Sequence, residues 1–471
     1  MDPTVLAIAS AIRDIGGRAL LVGGFVRDRL MGVESKDHDL EIFGLEIRQL
    51  ENALARFGDV IAVGRAFGVL RVKGLDMDFS IPRRDSKTGR GHRGFLVELD
   101  PSLDFEEAAR RRDLTINSMG LDPLTNELLD PHRGREDLAA RRLRATDPEK
   151  FAEDSLRGLR AAQFRARFEM DPDGELVEIC AGLDLSDLPG ERIFDEMKKL
   201  LLKARRPALG FEFLERTRLL RFFPELQAMV GVPQDPEWHP EGTVWEHTLL
   251  VVDEAAALRT GDEHEDLVLL LGALCHDVGK PGTTIEVDGR IRSPCHEAEG
   301  VPLAEAFLRR LRAPLDVTRQ VATLVDNHLA PAQLVKGGAT LKAYRRLARK
   351  LDAVDLTPEL LYRVARADHF GRTTPDALAR EFPDGDVFLS SLEKVDSEES
   401  TTTDVVLGRH LIARGFGPGP GFGPVLARCR DIQDETGWSD PERVLERALS
   451  EVGPPTDAPR DPTDSPPGRA K

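Results

Sequence analysis

The sequence predicts an α+β protein, with a mixed sheet and its helices at the amino-terminal end and helices alone after it. Three observations predict this. Short β-rich runs are confined to roughly the first 130 residues. Beyond them apolar residues recur every three or four positions, the period of an amphipathic helix. At 471 residues the chain also exceeds the size at which a single core keeps growing, so two to four domains are expected.

In chain order, Ala19–Val22, Asp39–Phe43, Val60–Val63, Val69–Lys73 and Met77–Ile81 read as strands, interrupted by Gly and by helical periodicity. Strand signals stop after Arg135, and Phe151–Phe168 and Glu191–Ala204 carry helical repeats. A break at Gly231-Val232-Pro233 opens a histidine-rich helical segment reaching Arg372. An acidic stretch then leads into a last helical piece ending near Val452, and the Pro- and Asp-rich residues Gly453 to Lys471 have almost nothing to bury and read as disordered. The expected divisions are 1–140, 141–230, 231–372, 373–452 and 453–471.

Composition removes several function classes. With 41% hydrophobic and 31% charged residues, and no apolar run near the roughly 18 residues of a membrane span, the chain reads as soluble with no membrane partner. Met1-Asp2-Pro3 opens no basic and apolar leader, so the cytoplasm is expected. Cys180, Cys275, Cys295 and Cys429 are too scattered for a disulfide framework or a cysteine zinc site. No obligate protein partner is indicated. The net charge of −17 opposes nucleic-acid binding in bulk, so distribution matters. Arg83 to Arg93 and Arg141 to Arg167 each carry +4, whereas Glu381 to Asp404 carries −7. Phosphate should favour the first two stretches and avoid the third.

The motifs that carry chemistry begin at Leu20-Leu21-Val22-Gly23-Gly24-Phe25-Val26-Arg27-Asp28, read as strand, glycine turn and helix start, which aims backbone N–H groups at an anion such as a triphosphate. A lone Gly-Gly would ordinarily be only a tight turn. Asp37-His38-Asp39 follows at the start of a strand, where period two puts both carboxylates on one face. Two acids that close repel unless a cation lies between them, and Mg²⁺ suits carboxylates plus substrate phosphates. Asp78 on a later strand could be the third acid of a two-metal site for in-line displacement; Asp76 shares its parity.

Gly23-Gly24-Phe25-Val26-Arg27-Asp28-x-Leu30-Met31-Gly32 with Lys36-Asp37-x-Asp39 resembles the signature of the polymerase β-type nucleotidyltransferases that comprise CCA-adding enzymes and bacterial poly(A) polymerases. The resemblance implies a nucleotidyltransferase head at 1–140 and a helical neck at 141–230, with Asp37, Asp39 and Asp78 catalytic. Arg110-Arg111-Arg112-Asp113-Leu114-Thr115-Ile116-Asn117-Ser118-Met119 resembles the family's second motif. It implies that Arg112, Asp113 and Asn117 join Gly23, Gly24 and Arg27 around the ribose and phosphates, with Asp113 accepting from a ribose hydroxyl and Arg112 facing phosphate. Glu153 to Phe164 resembles the nucleobase-recognition helix, with Asp154 and Arg157 on one face and Arg160 in support. A carboxylate accepting from an exocyclic amino group and a guanidinium donating to a ring acceptor would fit C and A and reject G and U. Asp130-Pro131-x-x-Gly134 and Glu191-Arg192-x-x-x-Glu196 resemble supporting segments, and Arg83 to Arg93 matches in position the mobile loop that switches C to A addition.

His276-Asp277, with His247 upstream and Asp368 downstream, resembles the HD phosphohydrolase superfamily, and His296 and His328 would add ligands for a second ion. The resemblance implies an HD domain at 231–372 holding a divalent metal of unknown identity, active on damaged tRNA 3′ ends such as 2′,3′-cyclic phosphates. Gly408-Arg409 to Pro420 resembles the class's tail region, placing a helical tail at 373–452. The function implied is template-independent addition of C, C and A to tRNA 3′ ends from CTP and ATP. Poly(A) tailing, or C-only or A-only addition, shares the same head, and a metal phosphohydrolase with an RNA-binding head is a reading from another class.

Overall fold

A computed structural model describes residues 1–34, 38–63, 68–87, 95–399 and 404–455. The sheet-bearing part runs α1 (Pro3–Asp14), β1 (Arg18–Val22), α2 (Gly24–Leu30), β2 (His38–Phe43), α3 (Ile47–Leu54), β3 (Val60–Ala62), β4 (Val69–Val72), β5 (Met77–Ser80), β6 (Arg83–Lys87), β7 (Phe95–Leu99), α4 (Phe105–Arg110), β8 (Gly120–Leu121), β9 (Leu128–Leu129) and α5 (Gly134–Ala139). Seven strands form one mixed sheet in the order β3-β4-β5-β2-β1-β8-β9, in which only β2 and β5 pair in parallel. The five strands expected from alternation are all present, within two residues at either end.

Period two explains how the sheet presents its acids. Leu40 and Ile42 of β2 are fully buried with Ile8 and Ile12 of α1 and Leu50 and Leu54 of α3. The alternate residues Asp39, Glu41 and Phe43 therefore face the other side, where Phe43 packs on Phe105 of α4 at 6.2 Å between rings. The apolar face of the strand fixes where its carboxylates point.

The helical part continues through β10 (Arg142–Leu143), α6 (Pro148–Ala152), α7 (Leu156–Phe168), β11 (Asp171–Pro172), α8 (Gly174–Ala181), α9 (Gly190–Lys203), α10 (Ala208–Arg216), α11 (Pro224–Met229), α12 (Val244–Ala257), α13 (Glu263–Cys275), α14 (Lys280–Thr283), β12 (Ile285–Val287), β13 (Arg290–Arg292), α15 (His296–Arg310) and α16 (Leu315–Asn327). Three expectations are corrected here. The region is not purely helical: β10 pairs with β11, and β12 with β13 in a hairpin. Pairings this short carry too few residues for alternation to register. The expected helix Phe151–Phe168 is two helices, because Asp154 accepts from the N–H of Leu156 at 3.1 Å and turns the chain ahead of α7. Arg83–Lys87, expected within a loop, pairs antiparallel with Phe95–Leu99, while 88–94 lie outside the described residues.

The chain divides into two compact units, 1–326 with 367–381 and 327–366 with 382–471. The second contains α17 (Ala330–Lys336), α18 (Leu341–Asp352) and most of α19 (Pro358–Phe370), while α20 (Pro375–Leu378) belongs to the first. It continues with α21 (Pro383–Glu399), α22 (Gly408–Ala413), α23 (Phe422–Thr436) and α24 (Pro441–Val452). Its last helices share a core of Leu411, Phe422, Val425, Ile432, Val444 and Leu445. The tail beyond 455 lies outside the described residues. Among the described residues no helix is long and apolar enough to cross a membrane.

Gly134 shows how tightly the joint after the sheet is built. A Cβ there would meet the Thr115 carbonyl oxygen at 2.1 Å and Met119 Cγ at 3.0 Å. Gly134→Ala should therefore lower stability by about 1–3 kcal/mol, the usual cost of forcing atoms into a packed site. A fall in the midpoint of thermal unfolding checks it, and an unchanged midpoint would show that the joint relaxes.

Candidate functional sites

A cavity of about 510 Å³ opens on the acid-bearing face of the sheet. The sequence-predicted residues Gly23, Gly24, Arg27, Asp39, Arg112, Asp113, Asn117, Asp154, Arg157 and Arg160 all line it. Asp37 lies outside the described residues. Asp78 is not part of the lining; it sits beside Asp39 in the parallel register of β2 and β5, and Arg71 holds it by a bidentate pair with one contact of 2.9 Å. Asp76 precedes the strand. Gly23 adopts φ +69°, and a Cβ there would lie 3.0 Å from Arg112 Nη1 and 3.8 Å from Asp39 Oδ2. Only glycine gives the strand-to-helix turn this conformation and this closeness to both groups.

The arginines are held by carboxylates. Glu41, fully buried on β2, accepts from Arg111 at 2.6 Å and Arg112 at 3.2 Å. Burial alone would raise its pKa, but the two guanidiniums outweigh that and hold it below the ordinary range. Asp113 accepts from Arg160 at 2.7 Å, Asn117 at 3.0 Å and the Leu114 N–H at 2.8 Å. Burial opposes its ionisation, yet Arg160 and these hydrogen bonds lower it to about 2. Arg27, almost fully buried, donates to Asn117 at 2.6 Å and to Asp28, with its guanidinium 4.5 Å from the Phe168 ring. Asp113 therefore serves Arg160 and Asn117, a role additional to the expected ribose contact. Arg157 donates to the Lys150 and Arg111 carbonyls, both at 2.5 Å, and Arg192 lies 3.8 Å from Asp154.

Sequence reasoning missed Glu41, Phe164 and Phe168, and the cavity-lining Gln163, Arg167, Lys199 and Lys203. Glu41 was legible in principle: a charged residue inside a strand of apolar neighbours, two positions after Asp39, needs a buried partner.

The second constellation is a buried cluster in the same unit. The ligand atoms of His247, His276 and Asp277 lie within 4.8 Å of one another. His276 Nε2 is 3.1 Å and His296 Nε2 3.3 Å from Asp277, and His247 Nε2 is 3.1 Å from Asp368. Backbone carbonyls only accept, so the contacts of His276 Nδ1 with Ala273 (2.7 Å) and His296 Nδ1 with Ser293 (2.8 Å) put the proton on Nδ1 in each. That turns the bare Nε2 lone pair of both toward the Asp277 carboxylate, an imidazole orientation suited to a divalent cation. Burial opposes ionisation of Asp277 and Asp368, but His276 and Lys280 beside the first, and Arg372 and His247 beside the second, hold both well below the usual range. The sequence did not single out Glu241, whose carboxylate lies 2.9 Å from His239 Nδ1 and 2.8 Å from His247 Nδ1, or Lys280, 2.6 Å from Asp277. His328 is buried and belongs to the second unit, directly after α16.

The poly A polymerase head domain matches residues 19–144, the probable RNA and SrmB-binding site of polymerase A 179–229, and the HD domain 244–370. A multifunctional CCA protein of Stenotrophomonas maltophilia is 34% identical over 425 residues, covering 87% of this chain and 97% of that protein. The chain belongs to the CCA-adding nucleotidyltransferase family. Another relative, the multifunctional CCA protein of Alkalilimnicola ehrlichii, is 36% identical over 374 residues, covering 75% of this chain and 84% of its own. In fold this chain is similar to the Bacillus stearothermophilus CCA-adding enzyme in complex with CTP, with TM-score 0.61 at 20% identity, covering 96% of this chain and 98% of that one. The chain is thus a nucleotidyltransferase enzyme with a fused HD domain.

Two outcomes follow from the cavity's charges. Asp113→Asn should cost about 2 kcal/mol, below the usual figure for breaking a buried pair because Arg160 is partly exposed. A carboxylate lowered to about 2 contributes stability that is complete above its unfolded value near 3.8 and is lost as pH falls through 2. Chemical denaturation should therefore give the same loss at pH 5 and pH 8; a loss confined to pH 5 would contradict the pairing. Glu41→Gln, which keeps volume but removes the charge opposite two arginines, should raise the nucleotide KM about tenfold in steady-state extension, the equivalent of about 1.4 kcal/mol.

Proposed function

We propose that the chain completes tRNA 3′ ends by adding C, C and A from CTP and ATP without a nucleic-acid template. The observation that carries this reading is that Asp39, Arg112 and the Asp154/Arg157 pair line one cavity. A triphosphate would lie against Gly23, Gly24, Arg112 and Arg160, with its base toward Asp154 and Arg157. The Arg157 guanidinium is anchored on two backbone carbonyls, so its outer edge keeps one direction relative to the bound base. Multifunctional CCA proteins of similar length, and CCA-adding enzymes of this fold solved with CTP, with ATP and with tRNA, support these substrates.

Asp37, Asp39 and Asp78 would hold Mg²⁺. The adjacent strand positions of Asp39 and Asp78 suit a shared oxygen-ligand site. Bound there, the ions supply activation of the 3′-hydroxyl and charge neutralisation at the leaving pyrophosphate. The protein's own part is to orient: β2 fixes Asp39, Glu41 fixes Arg112, and Asp113 fixes Arg160.

A second, separable activity belongs to the HD domain. His247, His276, Asp277 and Asp368 would hold a divalent metal, with His296 available to a second ion, and the substrate would be a phosphate ester at an RNA 3′ end. The metal supplies a water acidic enough to act near neutral pH. Two waters would be consumed in turn, the first opening a 2′,3′-cyclic phosphate to a monoester and the second releasing inorganic phosphate. The working division is head 1–140, neck 141–230, HD domain 231–372, tail 373–452 and terminal segment 453–471.

Incubation of the protein with Mg²⁺ and labelled tRNA lacking its last three nucleotides should give growth by three residues only when CTP and ATP are both present. Long A-tails or no extension would reject the assignment. Asp39→Ala should lower kcat by at least about a thousandfold, the scale of removing a group that stabilises the transition state. Asp277→Ala should abolish divalent-metal-dependent phosphate release from a cyclic phosphate and leave nucleotide addition intact; loss of both would show that the sites are not separable.

A further inference from the structure

Two segments lead into the buried cluster, and both carry exposed groups that the proposed chemistry does not use. Trp238 is 50% exposed, yet it immediately precedes His239, whose ring lies 4.6 Å from that of His247. The β12–β13 hairpin runs into His296. Its register sets Ile285 opposite Arg292 and Val287 opposite Arg290, so these four side chains share one face. All four are on the surface or near it, with Ile285 49% and Val287 37% exposed. Arg290 reaches Glu237, the neighbour of Trp238, and so ties the hairpin's apolar and basic face to the tryptophan's turn. An exposed ion pair of this kind is weak and readily exchanged for a phosphate contact.

An indole, two aliphatic side chains and two arginines at the approach to a phosphoesterase cluster match the chemistry of single-stranded RNA, whose bases stack on aromatic faces while guanidiniums meet the backbone. We infer that Trp238 and the Ile285/Val287/Arg290/Arg292 face form a platform for the terminal bases of an RNA 3′ end, seating its phosphate in the histidine cluster. The inference rests on the proposed phosphohydrolase reading and names its substrate as an RNA terminus in preference to a free phosphate ester. Arg290 and Arg292 on this face, in a hairpin that Glu286 and Asp288 make neutral overall, argue for this occupant over an acidic protein surface only in combination with the indole, which needs a flat ring to cover it.

The test uses the full chain, first with metal removed by chelator. Cytidine 2′,3′-cyclic phosphate should quench tryptophan fluorescence saturably and inorganic phosphate should not. Trp238→Phe, which leaves Trp245 and Trp438, should abolish the quench. A quench that survives in Trp238→Phe, or none in the unaltered protein, overturns the inference. With metal restored, Trp238→Ala should raise KM for an RNA ending in a cyclic phosphate at least about fivefold, the low end of what one stacked base contributes. It should leave kcat and p-nitrophenyl phosphate turnover within about twofold, and Trp238→Phe should recover the KM. Equal loss on both substrates would mark a structural role and overturn the inference. A quench without any phosphate release, by contrast, would reject the phosphohydrolase reading and leave the platform standing.

Discussion

Glu41 and its two arginines are the interaction on which the first cavity depends. A carboxylate with no solvent exposure is tolerable only if it is matched, and Glu41 is matched by Arg111 and Arg112 together. Strand alternation ties the position of that charge to Asp39, two residues earlier on the same face. The backbone then extends the link, because the Arg111 carbonyl accepts from Arg157. One buried negative charge thus joins the strand that carries the proposed catalytic acid to the guanidinium proposed to read the base. A parallel set runs from Asp113 to Arg160 and, through Asn117, to Arg27.

The histidine cluster solves the same problem with different partners. Asp277 and Asp368 are buried like Glu41, if not quite as completely, but imidazoles and one cation apiece, Lys280 and Arg372, surround them. Guanidinium pairs fix an arginine permanently, since arginine does not give up its proton. Imidazoles can be neutral donors, so a cluster built on them can exchange its internal pairs for a metal. The chemistry of the partners, more than the burial of the acids, separates a cavity proposed to orient a nucleotide from a cluster suited to an ion.

Much of this was legible in the residues. Strong alternation exposed the five main strands, because a half-buried strand repeats its apolar face over four or more positions, as Leu40 and Ile42 do against α1. Two-residue pairings such as β10 with β11 leave no such trace. Cavity residues announced by local motifs were found, since glycine turns and adjacent acids are patterns within one segment. Lys199 and Lys203 of α9 and the Phe164/Phe168 pair under Arg27 were not, because their meaning comes from packing between helices far apart in sequence. Asp154 was read correctly as a neighbour of Arg157 but placed on a helix. The turn it makes, accepting from Leu156, depends on a side chain competing with the backbone, which periodicity does not register.

That turn changes how selectivity should be understood. On a continuous helix, Asp154 and Arg157 would be an ordinary surface pair whose long side chains lose entropy on every encounter with a base. In the observed arrangement Asp154 is fixed by accepting from the N–H of Leu156 in the turn ahead of α7, and Arg157 by two carbonyls from separate elements, one at the end of α4 and one in α6. On the proposed reading, the ordering cost is therefore met on folding, before the nucleotide arrives. A base with the wrong donor and acceptor pattern would find groups unable to turn away and would leave them unpaired, and that penalty gives discrimination without a template strand. Selectivity for C and A would then rest as much on the carbonyls that immobilise Arg157 as on the two side chains that touch the base.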